Sequence, residues 1–395
     1  MEKINNEKID KYKCLYSNNN LNIKGNKYIQ SSKFISNKSF LIFTNKNIIK
    51  YNYNYNYNSE SNIIDSVELE RKFKESNYIY DYDIIYNEYE SNKYLCLCSK
   101  DNPIRILDDK LSLIKSFSLE NKQKESYLSS IFIKYEPFGL NIYTGKNHLS
   151  KIDLIKQKEV FTIYNKNYNY LSSFDFNLKY SCYFLGSYNN RLILGDYKTD
   201  KIIGNYKQEK SINQIKILNN KEYKILIGYR NSNFICLFDI RKMDSYLNKL
   251  ERSSKGTKKI NFVLDENENN LYSGTDNGKI IRYNFENFEK KEMNIYENNN
   301  LLNKNLNETI GSFNKNVDNN ETYETNNINR EENDIGLNNA ISSIDLNNDF
   351  NLILITNGEM EYENTFHSLN KSNDSDESFE IKNNYEESQF HIYKI

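Results

Sequence analysis

The chain has 395 residues with 53 Lys+Arg against 54 Asp+Glu, a formal net charge of −1, so it lacks the global basic field that drives unspecific nucleic-acid binding. Hydrophobic residues make up 38% and charged residues 27%, which confines apolar content to short runs. The opening MEKINNEKIDKYK has no apolar stretch after its charges, and no run approaches eighteen apolar residues, so neither a secretory signal nor a membrane-spanning helix is expected.

The first apolar run, KYKCLYS at 11–17, precedes the repeating part of the chain and is expected to add a closing strand to the last sheet. From residue 28 onward, runs rich in Ile, Leu, Tyr and Phe alternate with Asn, Lys, Asp and Gly clusters, the strand-and-turn signature of an all-β fold. A first unit at 28–53 reads YIQSSKFIS, SFLIFTNKN and IIKYNYN, and the alternation of Tyr51 to Tyr57 with Asn reads as extension of its last strand. The second, 78–108, reads YIYDYDIIY, KYLCLCSKDN and PIRILDD, and the third, 127–154, reads YLSSIFIKYEPFG, LNIYTGKN and HLSKIDL. A fourth at 170–205 has YLSSFDFN, YSCYFLGSYNN and RLILGDYKTDKIIGNY, followed by a fifth with INQIKIL, YKILIGYRNSN and FICLFDIRK. The sixth contains LYSGTDNG, where Asp276-Asn277-Gly278 marks a tight turn between strands. Residues 296–338 are too polar to bury a strand and are expected to form a disordered insert. AISSIDL, FNLILITNG and the terminal FHIYKI make a seventh unit, split by an acidic flexible loop at 359–389.

Units of roughly 40 residues with three or four strands each have the period of propeller blades. The expected architecture is one monomeric domain, an all-β, seven-bladed WD-repeat-like β-propeller with Asn-rich insertions.

Signs of catalysis are missing. There is no G-x-x-x-x-G-K-S/T loop, G-x-S-x-G elbow or H-E-x-x-H pair, so no enzyme activity, cofactor or metal is expected. His148, His367 and His391 are scattered, and His148, after Gly145-Lys146-Asn147, reads as a turn residue. Cys14, Cys96, Cys98, Cys182 and Cys236 lie mostly in apolar runs and read as buried thiols in a reducing compartment, with Cys96 and Cys98 on one strand face. The 34 tyrosines and the abundant Asn and Lys read as the coding bias of an AT-rich genome. RNA contact must therefore come from a local patch. Arg105, Arg191, Arg230 and Arg241 fall at strand starts, turns or strand ends of blades two, four and five, with Tyr188 and Tyr229 beside them, and these six are the candidate RNA contacts.

The third-strand ends Leu107-Asp108, Ile152-Asp153, Phe238-Asp239 and Tyr283-Asn284 resemble WD repeats. With no Trp and no Gly-His pair, the Asp-His-Ser-Trp hydrogen-bond network of such repeats is not expected, and packing must carry more of the stability. More specifically, Tyr78-Ile79-Tyr80-Asp81-Tyr82 resembles the T-I-Y-D-Y segment of the telomerase Cajal body protein family. Ser99 to Asp108, containing Asn102-Pro103-Ile104, is similar to that family's S-R-D/E-N-P-I-H-I/L-W-D segment, although Arg105 replaces the His and Leu107 the Trp. Gly186-Ser187-Tyr188, the FICLFDIR strand ending in Asp239 and Arg241, and the split last blade are further points of likeness. The resemblance implies a nuclear protein that binds small noncoding RNA of the H/ACA or Cajal-body type, including telomerase RNA, alongside ribonucleoprotein partners. The fold alone implies a protein-interaction scaffold without RNA contact.

Overall fold

The computed structural model describes residues 13–18, 29–56, 63–87, 92–121, 126–136, 139–164, 170–177, 179–221, 223–254, 260–285, 290–293, 341–349, 351–357 and 389–394. The 296–338 insert, the 359–388 part of the acidic loop and His367 lie outside the described residues.

Among the described residues the chain forms strands and no helix, and seven antiparallel four-stranded sheets make a seven-bladed β-propeller. In each blade, strands a to d run from the central channel outward. Blade 1 is Ile29–Ser36, Ser39–Thr44, Asn47–Asn56 and Ile63–Lys74. Blade 2 is Ile79–Asn87, Asn92–Ser99, Ile104–Leu107 and Leu113–Phe117. Blade 3 is Phe132–Glu136, Asn141–Gly145, His148–Asp153 and Lys158–Tyr164. Blade 4 is Leu171–Asn177, Cys182–Ser187, Arg191–Asp196 and Ile202–Lys207. Blade 5 is Ile212–Ile217, Lys224–Tyr229, Phe234–Asp239 and Lys242–Glu251. Blade 6 is Phe262–Leu264, Asn270–Gly274, Ile280–Asn284 and Lys290–Met293. Blade 7 takes Ile341–Asn347, Leu352–Asn357 and Gln389–Lys394, and its outer strand is Lys13–Asn18, from the other end of the chain.

Strand alternation decides what each sheet can bury. A sheet apolar on both faces needs a neighbour on both sides, and the buried core divides into seven clusters, each spanning one seam between adjacent blades. Tyr51 and Tyr53 point inward at the blade 7–1 seam, which explains the YNYNYNY extension as a strand with one buried face. Cys96 and Cys98 share the blade 2–3 seam, as period-2 spacing requires. The buried Cys182 and Cys236 are free thiols that pack between blades 4 and 5.

The turns use the Asn-rich composition directly. Asn190 and Asn231, in the turns between strands b and c of blades 4 and 5, have φ of 59° and 51°, a left-handed conformation that Asn tolerates better than most residues. Gly278 closes the Asp276-Asn277-Gly278 turn with φ 75°.

One inner-strand position is aligned by register in all seven blades. It holds Lys33, Asp83, Lys134, Asp175, Lys216, Val263 and Asp345, opposite Leu41, Cys96, Tyr143, Phe184, Leu226, Tyr272 and Leu354. All seven line the central channel, so its wall carries a girdle of alternating charge. The carboxylates also satisfy backbone donors on the unpaired edge of the next blade's inner strand. Asp345 Oδ2 accepts the Phe34 N–H at 2.7 Å while Oδ1 meets Lys33 Nζ at 2.8 Å. Asp83 Oδ2 accepts the Tyr135 N–H at 2.9 Å, 3.6 Å from Lys134 Nζ, and Asp175 Oδ2 accepts the Ile217 N–H at 2.7 Å, 3.9 Å from Lys216 Nζ. Seven positions cannot alternate without a fault. Val263 occupies the fault, and that seam is bridged instead by the Gln214 amide, bonded to both backbone polar groups of Phe262.

His148, read from sequence as a turn residue, is instead the buried first residue of strand c in blade 3, drawn inward because the short turn before it places it beside the Tyr164 ring. His391 is fully buried in blade 7, between the strands that close the ring. Burial pushes both imidazoles down to about 4.

Two outcomes follow from these contacts. Asp345→Ala removes the acceptor of the Phe34 N–H and the partner of Lys33, and is expected to lower stability by about 2–4 kcal/mol, read as a lower urea midpoint. The histidines are buried neutral, so their contribution is complete above the ordinary value of 6.5 and is lost as pH falls toward 4. The melting temperature should therefore decline across that window, and His391→Phe should flatten the decline.

Candidate nucleic-acid interface

Antiparallel succession puts the b–c turns and the d-to-a connections on one face of the disc, and the a–b and c–d turns on the other. On the b–c face, hydrogen bonds fix three of these turns against the start of the next blade's inner strand. Ile79 N–H donates to Asn45 O at 2.8 Å and Leu171 N–H to Lys146 O at 2.7 Å, while Ser211, which accepts the Arg230 N–H at 2.8 Å within blade 5, donates its hydroxyl to Tyr188 O at 2.6 Å in the b–c turn of blade 4. These bonds bring a cation in one blade's b–c turn onto a tyrosine of its neighbour.

Three such pairs form. Lys46 Nζ lies 5.4 Å from the Tyr78 ring centroid, Lys146 Nζ 5.5 Å from Tyr170, and Arg230 Cζ 5.5 Å from Tyr188. Tyr188 N–H donates to Tyr170 O at 2.9 Å, so Lys146, Tyr170, Tyr188 and Arg230 form one run across blades 3, 4 and 5. Tyr78 and Tyr170 are 44% and 49% exposed, leaving ring area open to solvent. Tyr80, 40% exposed, Tyr188, Lys100 and Arg230 surround this mouth of the channel, whose volume is about 910 Å³. Acids on the same face include Asp101, Glu209, which faces Lys249 at 3.8 Å, Glu251, exposed and 4.0 Å from Lys290, and Asp276, which accepts the Ser253 hydroxyl.

The charge of the chain is unevenly divided along its length. Residues 294–340 hold eight acids and three bases, and 358–388 nine acids and two bases. The remainder keeps 48 Lys+Arg against 37 Asp+Glu, a net charge of +11 that the whole-chain value of −1 conceals.

The sequence candidates separate on this frame. Arg230 and Tyr188 meet in the run just described, and Arg191 is exposed at the start of strand c in blade 4, on the same face. Arg105 is committed elsewhere, its guanidinium 3.4 Å from Glu75, whose side chain is 0% exposed. Arg241 lies in a c–d turn on the opposite face, stacked 4.3 Å from the Tyr223 centroid and gripping Asp239 through Nε and Nη2 at 2.9 and 2.6 Å. Tyr229 offers no free face, being buried with its hydroxyl donating to Gln208 Oε1 at 2.6 Å. Lys46, Tyr78, Lys146 and Tyr170 escaped sequence reading, and the legible signal was a cation in a b–c turn with a tyrosine opening the next unit.

The motif residues of the family resemblance are structural here. Asp81 Oδ2 accepts the Ile133 N–H at 3.2 Å, Tyr82 stacks on Phe43 with its hydroxyl shifted up by burial, and Ile104 is buried. Asn102, followed by Pro103, donates to Glu75, Ser76 and Ser99 at 3.0–3.1 Å. Glu75, Asn102, Ser99 and Arg105 thus make a polar network joining a d-to-a connection, a b–c turn and strand c, so packing is not left alone to hold blade 2. Asp108 accepts the Ser112 N–H at 2.6 Å and Asp239 the Arg241 N–H at 2.9 Å, each capping a c–d turn. Hydrogen bonds from Arg241 hold the Asp239 carboxyl down at about 2.

No family model matches the chain, and no curated protein matches it.

Arg105→Ala should leave Glu75 buried without its cation and lower stability by about 2–4 kcal/mol, whereas Arg230→Ala should change stability by less than about 0.5 kcal/mol. Parallel thermal denaturation of the two variants checks the contrast.

Proposed function

We propose that the propeller binds RNA on its b–c face, in a binding role without catalysis. The observation that carries this reading is the run Lys146–Tyr170–Tyr188–Arg230, in which two adjacent tyrosines, Tyr170 exposed and Tyr188 half-buried, are flanked by cations. Cations neutralise phosphates and release counterions, while tyrosine faces stack on unpaired bases, and neither requires a base-specific pocket. The +11 charge outside the two acidic segments supports the same polarity of ligand. The motif likeness in blade 2 narrows the proposed RNA to small noncoding species of the H/ACA or Cajal-body type, including telomerase RNA, assembled with ribonucleoprotein partners in the nucleus.

Fluorescence anisotropy of a labelled H/ACA-type RNA across a salt series tests this. Replacing Lys46, Lys146 and Arg230 together by Ala should reduce the slope of log affinity against log salt by about 2. Tyr170→Ala should cost about 1–3 kcal/mol at every salt concentration. An unchanged slope in the triple variant would refute the assignment of this face, and the absence of any salt-sensitive RNA affinity would refute RNA binding itself.

A further inference from the structure

The opposite face carries a second surface of different chemistry. At the c–d turns and the beginnings of the outer strands, three consecutive blades expose large aliphatic side chains: Leu113 and Ile114 in blade 2, Ile155 in blade 3, and Ile202 and Ile203 in blade 4. Ile155 is 70% exposed, at the tip of its turn. Among the described residues, the outer strands of blades 5 and 6 begin with Lys242 and Lys290 in place of such aliphatic side chains.

The arc is tied together across its seams. Lys115 Nζ donates to Gln157 Oε1, linking the outer strand of blade 2 to the c–d turn of blade 3. Lys151 Nζ lies 3.6 Å from Asp200, linking blade 3 to the c–d turn of blade 4. Around the aliphatic tips stand the exposed Lys110, Lys158, Lys198 and Lys201, against the exposed acids Asp109 and Glu159. Asp108, Asp153 and Asp196 are turned back onto the N–H groups of their own turns and point their charge inward to the backbone.

We propose that this arc is a docking surface for an acidic protein segment bearing interspersed large apolar side chains. Exposed aliphatic groups at matching sites of neighbouring blades mark a contact region, and the surrounding lysines choose the sign of the partner. A second copy of the chain would set lysine against lysine across a symmetric contact. RNA has no use for the aliphatic tips. The surface is separate from the b–c face, and its occupancy does not depend on RNA binding there.

The test uses the full chain and a fluorescent 20-residue peptide of Glu-Glu-Leu repeats, with a Glu-Glu-Ser peptide of the same length as control. The expected result is saturable binding of the Leu peptide, at least tenfold weaker binding of the Ser peptide, and at least a tenfold loss for Ile155→Glu and for Ile203→Glu. Both variants lie at exposed positions, and unchanged melting temperatures would show that they remain folded. Equal binding of the two peptides, unchanged affinity in both folded variants, or no binding at all would overturn the proposal. So would capture of phosphatidylserine vesicles in place of the peptide, which would assign the arc to a membrane surface, or self-association in sedimentation lost in Ile155→Glu, which would assign it to a second copy.

Discussion

Every sheet in this protein is apolar on both faces, and that single requirement makes the ring compulsory. A four-stranded blade with two buried faces has no stable exposed state by itself, because each face must meet another blade before it leaves water. Seven clusters at seven seams are the result, and none of them is the core of one blade. An open row would leave two terminal blades half-solvated. The pairing of Lys13–Asn18 with Gln389–Lys394 therefore links stability everywhere to a contact between the two ends of the chain.

Inside the ring the inner strands face a different constraint. Their channel-side edges carry unpaired backbone donors, and the aspartates at the aligned position answer those donors while meeting the lysine of the next blade. Opposite charges on neighbouring blades reward adjacency without depending on shape. With seven blades, however, one position must be neutral or meet a like charge, and Val263 is neutral. Hydrophobic seams thus supply the bulk of the cohesion, while the girdle and the turn-capping aspartates make the inner strands fit in one register.

The two faces inherit different chemistry from the order of the strands. Turns between strands b and c abut the next inner strand, so a cation there is held over a neighbouring tyrosine near the channel mouth. Turns between c and d lie toward the circumference, where aspartates are consumed in capping and aliphatic side chains remain outside. The ring thus presents cation–tyrosine pairs on one face and an aliphatic, lysine-fringed arc on its reverse, two surfaces of unlike chemistry.

Strand periodicity, the tight turns, the aspartates closing the third strands of blades 2 to 5 and the sevenfold repeat were readable in the sequence, because each depends on residues a few positions apart. The same local logic read the Tyr/Asn alternation of blade 1 as an extended strand and placed Cys96 and Cys98 on one face. What a side chain meets across a seam was not readable, since its partner lies tens or hundreds of residues away. Tyr229 looked like a neighbour of an RNA-binding arginine, yet ring closure buries it against Gln208. Arg105 looked equivalent to Arg230, but Glu75 in the preceding connection takes it; Arg241 is instead taken locally by Asp239, and only its place on the opposite face was hidden. Local spacing encodes the blade, and only the closed ring, by bringing distant strand edges and turns into contact, decides which charges stay free to meet a ligand.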